Sequence, residues 1–398
     1  MDDIGGVKSY LRRISKYLIE QNKEVVILTQ LTKNDQEEET VIDGIPVIRL
    51  DCGDLVDRIE NFAKTSPEQR TNVAKDLFNK NDLETTGLKL AGELAEFINK
   101  RKPQVIHFHN SYFMTPYALY FLKQRLHTYS TPAFYFWTHS PPMDIIMPGG
   151  EKDSIYSALA SFQNLFKGIF AISKSVQASL LKAGIKSKIK YLGVDTEKFI
   201  KNDEKRRETR EKFGINENEF VILYTGRIIK EKGLDLLPEI YKELQKKGPS
   251  YYNIHFIIAG DGRYKEELLE KLKEEKIEQK FHFTVAFTDE DLVALYSSAD
   301  CLFLPTRREA IGLSILEAMS CSLPCVATDL PGIKEIITHG KNGILFPQDN
   351  VSEIVRWLSA IFSNRNMREN LVENTRVTVE EQFSSLAHNR NFKLRLMN

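Results

Sequence analysis

The sequence lacks most features that would tie it to a polyanion, a bilayer or an oxidising compartment. Lysine plus arginine and aspartate plus glutamate both number 55. No global field therefore draws the chain to nucleic acid, though a local basic face stays open. There are only four cysteines, Cys52, Cys301, Cys321 and Cys325. Cys321 and Cys325 flank a proline turn with no histidine cluster nearby, which argues against zinc. Buried thiols in a reducing cytosol are the expectation. No apolar run reaches the roughly 18 residues of a spanning helix. The N-terminus shows no basic stretch followed by an apolar one, so no secretory leader is read. Internal repeats and low-complexity tracts are absent too.

What is present is ordinary for a globular protein. The chain has 398 residues, 42% hydrophobic and 28% charged, enough for two domains with their own cores. Strand-like and helix-like patterns alternate along most of it, which predicts an α/β fold with parallel sheets. Residues 54–100 read as helical, with Leu88, Leu90, Leu94 and Phe97 as the buried stripe. The charged run 201–212 reads as a linker.

The segment around Glu309 organises the rest. The apolar run Cys301–Pro305 reads as a buried strand. Ile311, Leu313, Ile315, Leu316 and Met319 then recur at helical spacing. Glu309 falls in the intervening loop and Glu317 one to two turns into the helix. Gly312 lets amides at the helix start, with Leu313, approach a ligand, and such amides suit phosphate. On a continuous helix the two glutamates would stand about 12 Å apart, too far to share one metal ion or one bond. They suit the hydroxyls at the two ends of a long ligand, with a diphosphate between them. A nucleotide sugar has that form.

Other stretches offer candidates by position. The strands at 103–110 and 133–142 end in polar residues, where ligands of open α/β sheets sit. His109 and Asn110 are thereby acceptor-site candidates, while His107 reads as a packed histidine. Ser173 reads as a helix cap or an acceptor contact. Arg227 and Lys232 lie five apart in a glycine-bounded loop after the strand 220–224, where two cations can clamp a diphosphate. Gly226 opens that loop. Gly260 and Gly262 form a tight turn after another strand, allowing positive dihedrals. Asp289-Glu290-Asp291 reads as an acidic helix start, not a metal site, and Lys230 as a surface lysine.

Taken together, Gly193-Val194-Asp195, Gly226-Arg227 through Lys232-Gly233, Gly260-Asp261-Gly262, Phe281–Phe287 and Glu309-Ala310-Ile311-Gly312-Leu313 through Glu317-Ala318-Met319 resemble, in order, the motifs of the retaining glycosyltransferases of family 4. Ala310 and Ile311 depart from that family's Gly and Phe. The resemblance implies the GT-B fold: two Rossmann-like domains facing across a cleft, with a C-terminal helix returning to the first. The expected domains are 1–196 for the acceptor, 197–375 for the nucleotide-sugar donor and 376–398 for the returning helix. It implies that Arg227 and Lys232 neutralise the leaving diphosphate, aided by amides at Gly6 and Gly312-Leu313. Glu309 would hold the sugar, Glu317 the ribose, and His139 would reach the sugar near the reacting carbon. Val285 stands where the family has a Gly beside the base. No apolar strand precedes Gly5-Gly6, so the family's first strand is expected to be missing.

The implied activity is metal-independent transfer of a hexose or N-acetylhexosamine, from a UDP-sugar or GDP-sugar, with no cofactor. The acceptor, a saccharide, lipid-linked or small molecule, stays open. So do a non-catalytic nucleotide-sugar-binding protein and a GT-B epimerase or phosphorylase. A cytoplasmic location is expected, with peripheral contact at the inner face of the membrane also open.

Overall fold

The computed structural model describes residues 6–30, 37–51, 80–109, 118–122, 132–139, 156–286 and 288–384. It divides into two compact units, Ser9–Lys190 and Tyr191–Asn398 with Met1–Lys8. Among the described residues no helix is long and apolar enough to cross a membrane.

Among the described residues the first unit holds two sheets. Strands β1 (Ile27–Gln30), β2 (Glu39–Ile42) and β3 (Ile45–Leu50) form one, in the order β1-β3-β2. β1 lies parallel to β3 and β2 antiparallel. Asp43 and Gly44 join β2 to β3 with φ of 53° and 78°, the two-residue turn that matches strand twist. Strands β4 (Val105–His109), β5 (Ala133–Thr138), β6 (Gly168–Ala171) and β7 (Lys188–Ile189) form the second sheet, all parallel and in chain order.

The helix Lys80–Arg101 buries Leu90, Ala91, Leu94 and Ile98. Leu88, expected on that stripe, is 40% exposed. It stands two residues before Leu90, and two residues turn a helix by about 200°. The parts of 54–100 before Lys80 lie outside the described residues.

The second unit is one six-stranded parallel sheet. Strands β8 (Phe220–Thr225), β9 (Ile254–Ala259), β10 (Phe281–Thr284), β11 (Cys301–Leu304), β12 (Cys325–Thr328) and β13 (Ile344–Phe346) run in the order β10-β9-β8-β11-β12-β13. β8, β9, β11 and β12 are buried throughout, as strands covered on both faces must be. Cys301, Cys321 and Cys325 are free, buried thiols, as expected.

The charged run 201–212 is not a linker. Asp203–Lys212 is a helix capped by the Asn202 side chain. Arg210 is 1% exposed and donates to Asp300 at 2.7 Å and to four backbone carbonyls. A buried guanidinium persists only with such complete pairing, and composition does not distinguish that arrangement from a solvated run. At the other end, residues 376–382 continue the helix Arg365–Gln382, which packs on the helix Leu313–Ser320 of the same unit. Residues 385–398 lie outside the described residues.

Candidate functional site

The sheet of the second unit reverses its strand order between β8 and β11. The chain runs outward through β9 and β10, then returns to β11 on the other side of β8. Loops leaving such neighbours open a crevice at their carboxyl ends. The loop after β8 carries Arg227 and Lys232, and the loop after β11 carries Glu309.

There the Lys232 ammonium donates to Glu309 Oε2 at 2.8 Å, with both side chains mostly covered. Burial alone would raise the Glu309 pKa. The Lys232 ammonium and the Ala310 and Gly312 amides outweigh it, and hold the carboxyl below the usual range. Glu309 is therefore ionised at neutral pH. Arg227 is exposed, with its carbonyl accepting from the Tyr224 hydroxyl at 2.7 Å. Burial raises the Tyr224 pKa, Glu309 raises it further and Arg227 opposes, so both charges act on one phenol.

Backbone contacts fix the spacing of these loops. A side chain at Gly233 would put its Cβ 2.0 Å from the Pro305 carbonyl oxygen, and one at Gly260 would stand 1.8 Å from that of Gly226. Gly260 is thus required by close approach and not, as expected, by a positive dihedral. Gly226 and Gly262 do have positive φ. Arg307 ties the loops together from the side. Its amide donates to the Glu231 carbonyl at 2.9 Å and its guanidinium to the Lys230 carbonyl at 2.6 Å. The same guanidinium forks onto Asp235 at 2.7 and 2.9 Å and reaches Asp349 at 2.7 Å.

Gly312, at φ 83°, is the cap of the helix Leu313–Ser320 and offers its first-turn amides no side chain. Glu317 is the fifth residue of that helix and 5% exposed. The rise per residue therefore separates the glutamates only from Leu313 on. The Tyr296 hydroxyl donates to Glu317 Oε2 at 2.8 Å and lies 3.1 Å from Thr225 Oγ1.

In the first unit the histidines form a different cluster. His109 ends β4, and His139 follows β5. His109 Nδ1 lies 2.8 Å from His139 Nε2, so one nitrogen of the pair carries the shared hydrogen. Tyr10 and Trp137 lie against both rings, at centroid distances of 5.5–6.3 Å. Trp137 Nε1 donates to His107 Nδ1 at 2.9 Å, so His107 is the packed histidine expected. Burial lowers His107 and His139 to about 4, and lowers His109 well below its ordinary value. All three are neutral at pH 7.

The remaining candidates are placed as follows. Gly6 begins the helix Gly6–Glu20. Ser173 is fully buried and caps the helix Lys174–Lys182 by accepting from the Val176 amide at 3.2 Å. Val285 follows β10, half-buried. Asn110 lies outside the described residues. Thr288 and Asp291 form a reciprocal capping box, so the acidic triplet is a helix start. Lys230 pairs with Glu267 at 3.0 Å and is 60% exposed. A cavity of about 260 Å³, lined by residues such as Lys198, Asn202 and Asp289, includes none of the candidates. Sequence reasoning missed Arg307, Tyr296 and Tyr224. Arg307 stood two residues from Glu309 and could have been suspected. Nothing in the sequence marks the two tyrosines.

Two family models divide the chain between them. Residues 4–198 match the model described as Glycosyltransferase Family 4, and residues 205–378 match Glycosyl transferases group 1. The alpha-D-kanosaminyltransferase of Streptomyces kanamyceticus is 29% identical over 187 residues, 47% of each chain. The chain spans about half the length of the first curated relatives it matches. Sucrose-phosphate synthase from Thermosynechococcus elongatus shares the fold at TM-score 0.76 and 17% identity, over 99% of this chain and 94% of that one. Anabaena HepE, solved in complex with UDP-glucose, does so at TM-score 0.63 and 17% identity, over 94% and 99%.

Proposed function

The chain belongs to the family 4 glycosyltransferases, of the GT-B fold, and on that premise we propose that it is a retaining enzyme using a nucleotide-activated sugar, with a UDP-sugar favoured over a GDP-sugar. The observation that carries this reading is the Lys232–Glu309 contact at 2.8 Å, formed across the switch point of the donor-side sheet. A diphosphate arriving there competes with Glu309 for the ammonium and frees the carboxylate for sugar hydroxyls. Arg227, exposed on the same loop, adds the second positive charge. Charge placed before the reaction stabilises the departing nucleoside diphosphate without reorganisation. The reading therefore routes no step through a metal.

Glu317, held by Tyr296, presents acceptor oxygens for a ribose diol. His139 is neutral, so it serves as a hydrogen-bonding partner and not as a cation. No side chain is assigned as covalent nucleophile. Transfer proceeds on one face, with the leaving phosphate taking the proton of the acceptor hydroxyl.

Calorimetric titration with UDP- and GDP-linked hexoses and N-acetylhexosamines tests the donor, followed by assay of released or transferred sugar with EDTA present. Binding of one donor with turnover in EDTA is the expected result. Binding without any turnover would favour the non-catalytic alternative. Equal affinity for UDP and GDP would remove the donor assignment, and abolition of turnover by EDTA would remove metal independence.

A further inference from the structure

The net charge of zero conceals an uneven distribution. Between Asp153 and Asp195 lie six lysines and no acidic residue. Four of them, Lys167, Lys182, Lys186 and Lys188, are exposed at the starts of β6 and β7 or at the end of the helix between those strands. In a parallel sheet strand starts share one edge, and connecting helices end there. The helix Lys80–Arg101 ends at the same edge before β4, adding exposed Lys100 and Lys102. Among the described residues none of these six lysines lies within ion-pair distance of a carboxylate. The nearest acids by placement are Glu96, one turn before Lys100, and Glu24, which stands 3.8 Å from Arg101.

This edge is held in shape by its own bonds. The Gln163 side chain donates to the Gly184 carbonyl at 3.2 Å and accepts from the Lys186 amide at 3.3 Å. The Lys167 amide donates to the Phe134 carbonyl at 2.8 Å, and that of Ala133 to Gln104 at 2.9 Å. Two large apolar side chains stand out beside the lysines. Leu181 is 67% exposed next to Lys182, and Tyr120 is 45% exposed with its ring 5.3 Å from that of Phe162, which precedes Gln163.

We propose that this strand-start edge of the β4–β7 sheet docks on an anionic lipid bilayer. Lysines are attracted to acidic headgroups as mobile point charges, each adding to the affinity within a Debye length. Leu181 and Tyr120 supply the shallow apolar insertion that an interfacial contact adds to charge. Nucleic acid fits less well, because the face has lysines where forked phosphate contacts favour arginine and its most exposed apolar group is a leucine. The strand ends bearing His109 and His139 are at the opposite edge of the sheet, so docking leaves them uncovered. The proposal does not depend on the donor reading.

Co-sedimentation of the full chain with phosphatidylcholine vesicles, with and without phosphatidylglycerol, tests it. Binding is expected only with phosphatidylglycerol, and is expected to weaken as salt rises. Combined Lys182→Glu, Lys186→Glu and Lys188→Glu should lower it at least about tenfold, while the circular dichroism spectrum and the melting temperature stay unchanged. Leu181→Ser, which leaves the charge intact, should lower it about threefold or more. Binding to neutral vesicles alone, to neither kind, or to duplex RNA in preference to vesicles would overturn the proposal. So would a Leu181→Ser variant that binds as the parent does.

Discussion

The two units hold their functional side chains by opposite means. In the second, charges of both signs meet where strand order reverses. Lys232 and Glu309 are ionised partners, and Arg307 grips the adjoining loop through Asp235, Asp349 and two backbone contacts. In the first, the cluster of His107, His109, His139, Trp137 and Tyr10 is aromatic and neutral, and burial keeps protons off the imidazoles. One arrangement suits a dianionic leaving group and the other suits uncharged hydroxyls. The contrast teaches that, on the proposed function, the two units would divide their labour as their clusters differ in charge state.

The strongest test of that contrast removes a charge. Lys232→Ala and Glu309→Ala should each lower kcat more than tenfold, up to about a thousandfold, while circular dichroism stays that of the parent. A near-parental rate in either variant would leave the second unit without its assigned role. Acid is the next test. The ordinary histidine value is 6.5, and the folded values of His107 and His139 are about 4. Below pH 6.5 the unfolded chain takes up protons that the folded chain refuses, so stability falls as pH drops from about 6.5 toward 4. The loss should be on the order of 2 kcal/mol or more by pH 4.5. Trp357→Phe leaves Trp137 as the single tryptophan, so its fluorescence in urea reports on the first unit. A flat profile over that interval would mean the imidazoles are not held neutral. His255 and His282 are also lowered by burial and act in the same direction in the second unit.

The smallest expected effect separates binding from transfer. His109→Phe keeps a ring but removes the nitrogen facing His139. Turnover should fall about tenfold, the ordinary worth of a positioned partner, while donor affinity by calorimetry changes less than about twofold. A loss of donor affinity equal to the loss of turnover would erase the distinction between the units.

Much of the second unit was readable in advance because its chemistry is carried by residue types with few substitutes. Cations bounded by glycines, and acids at a strand end and in the following helix, announce themselves by spacing. Arg210 and Tyr296 did not, since the bonds that define them join segments 90 and 21 residues apart. In the first unit His109 and His139 were placed at strand ends from pattern alone. Their mutual contact depends on the register of β4 against β5, set by pairing His109 with Trp137, and no local signal encodes that. Leu88 was misplaced because several neighbouring helical phases fit the same leucines.

Gly233 lies against Pro305 main chain to main chain, with no room for even a methyl group between them. The gap between the ammonium-bearing turn and the acid-bearing turn is therefore a property of the scaffold, indifferent to most side-chain exchange nearby. Side chains around the two turns can be exchanged while the main-chain spacing between Gly233 and Pro305 stays as it is.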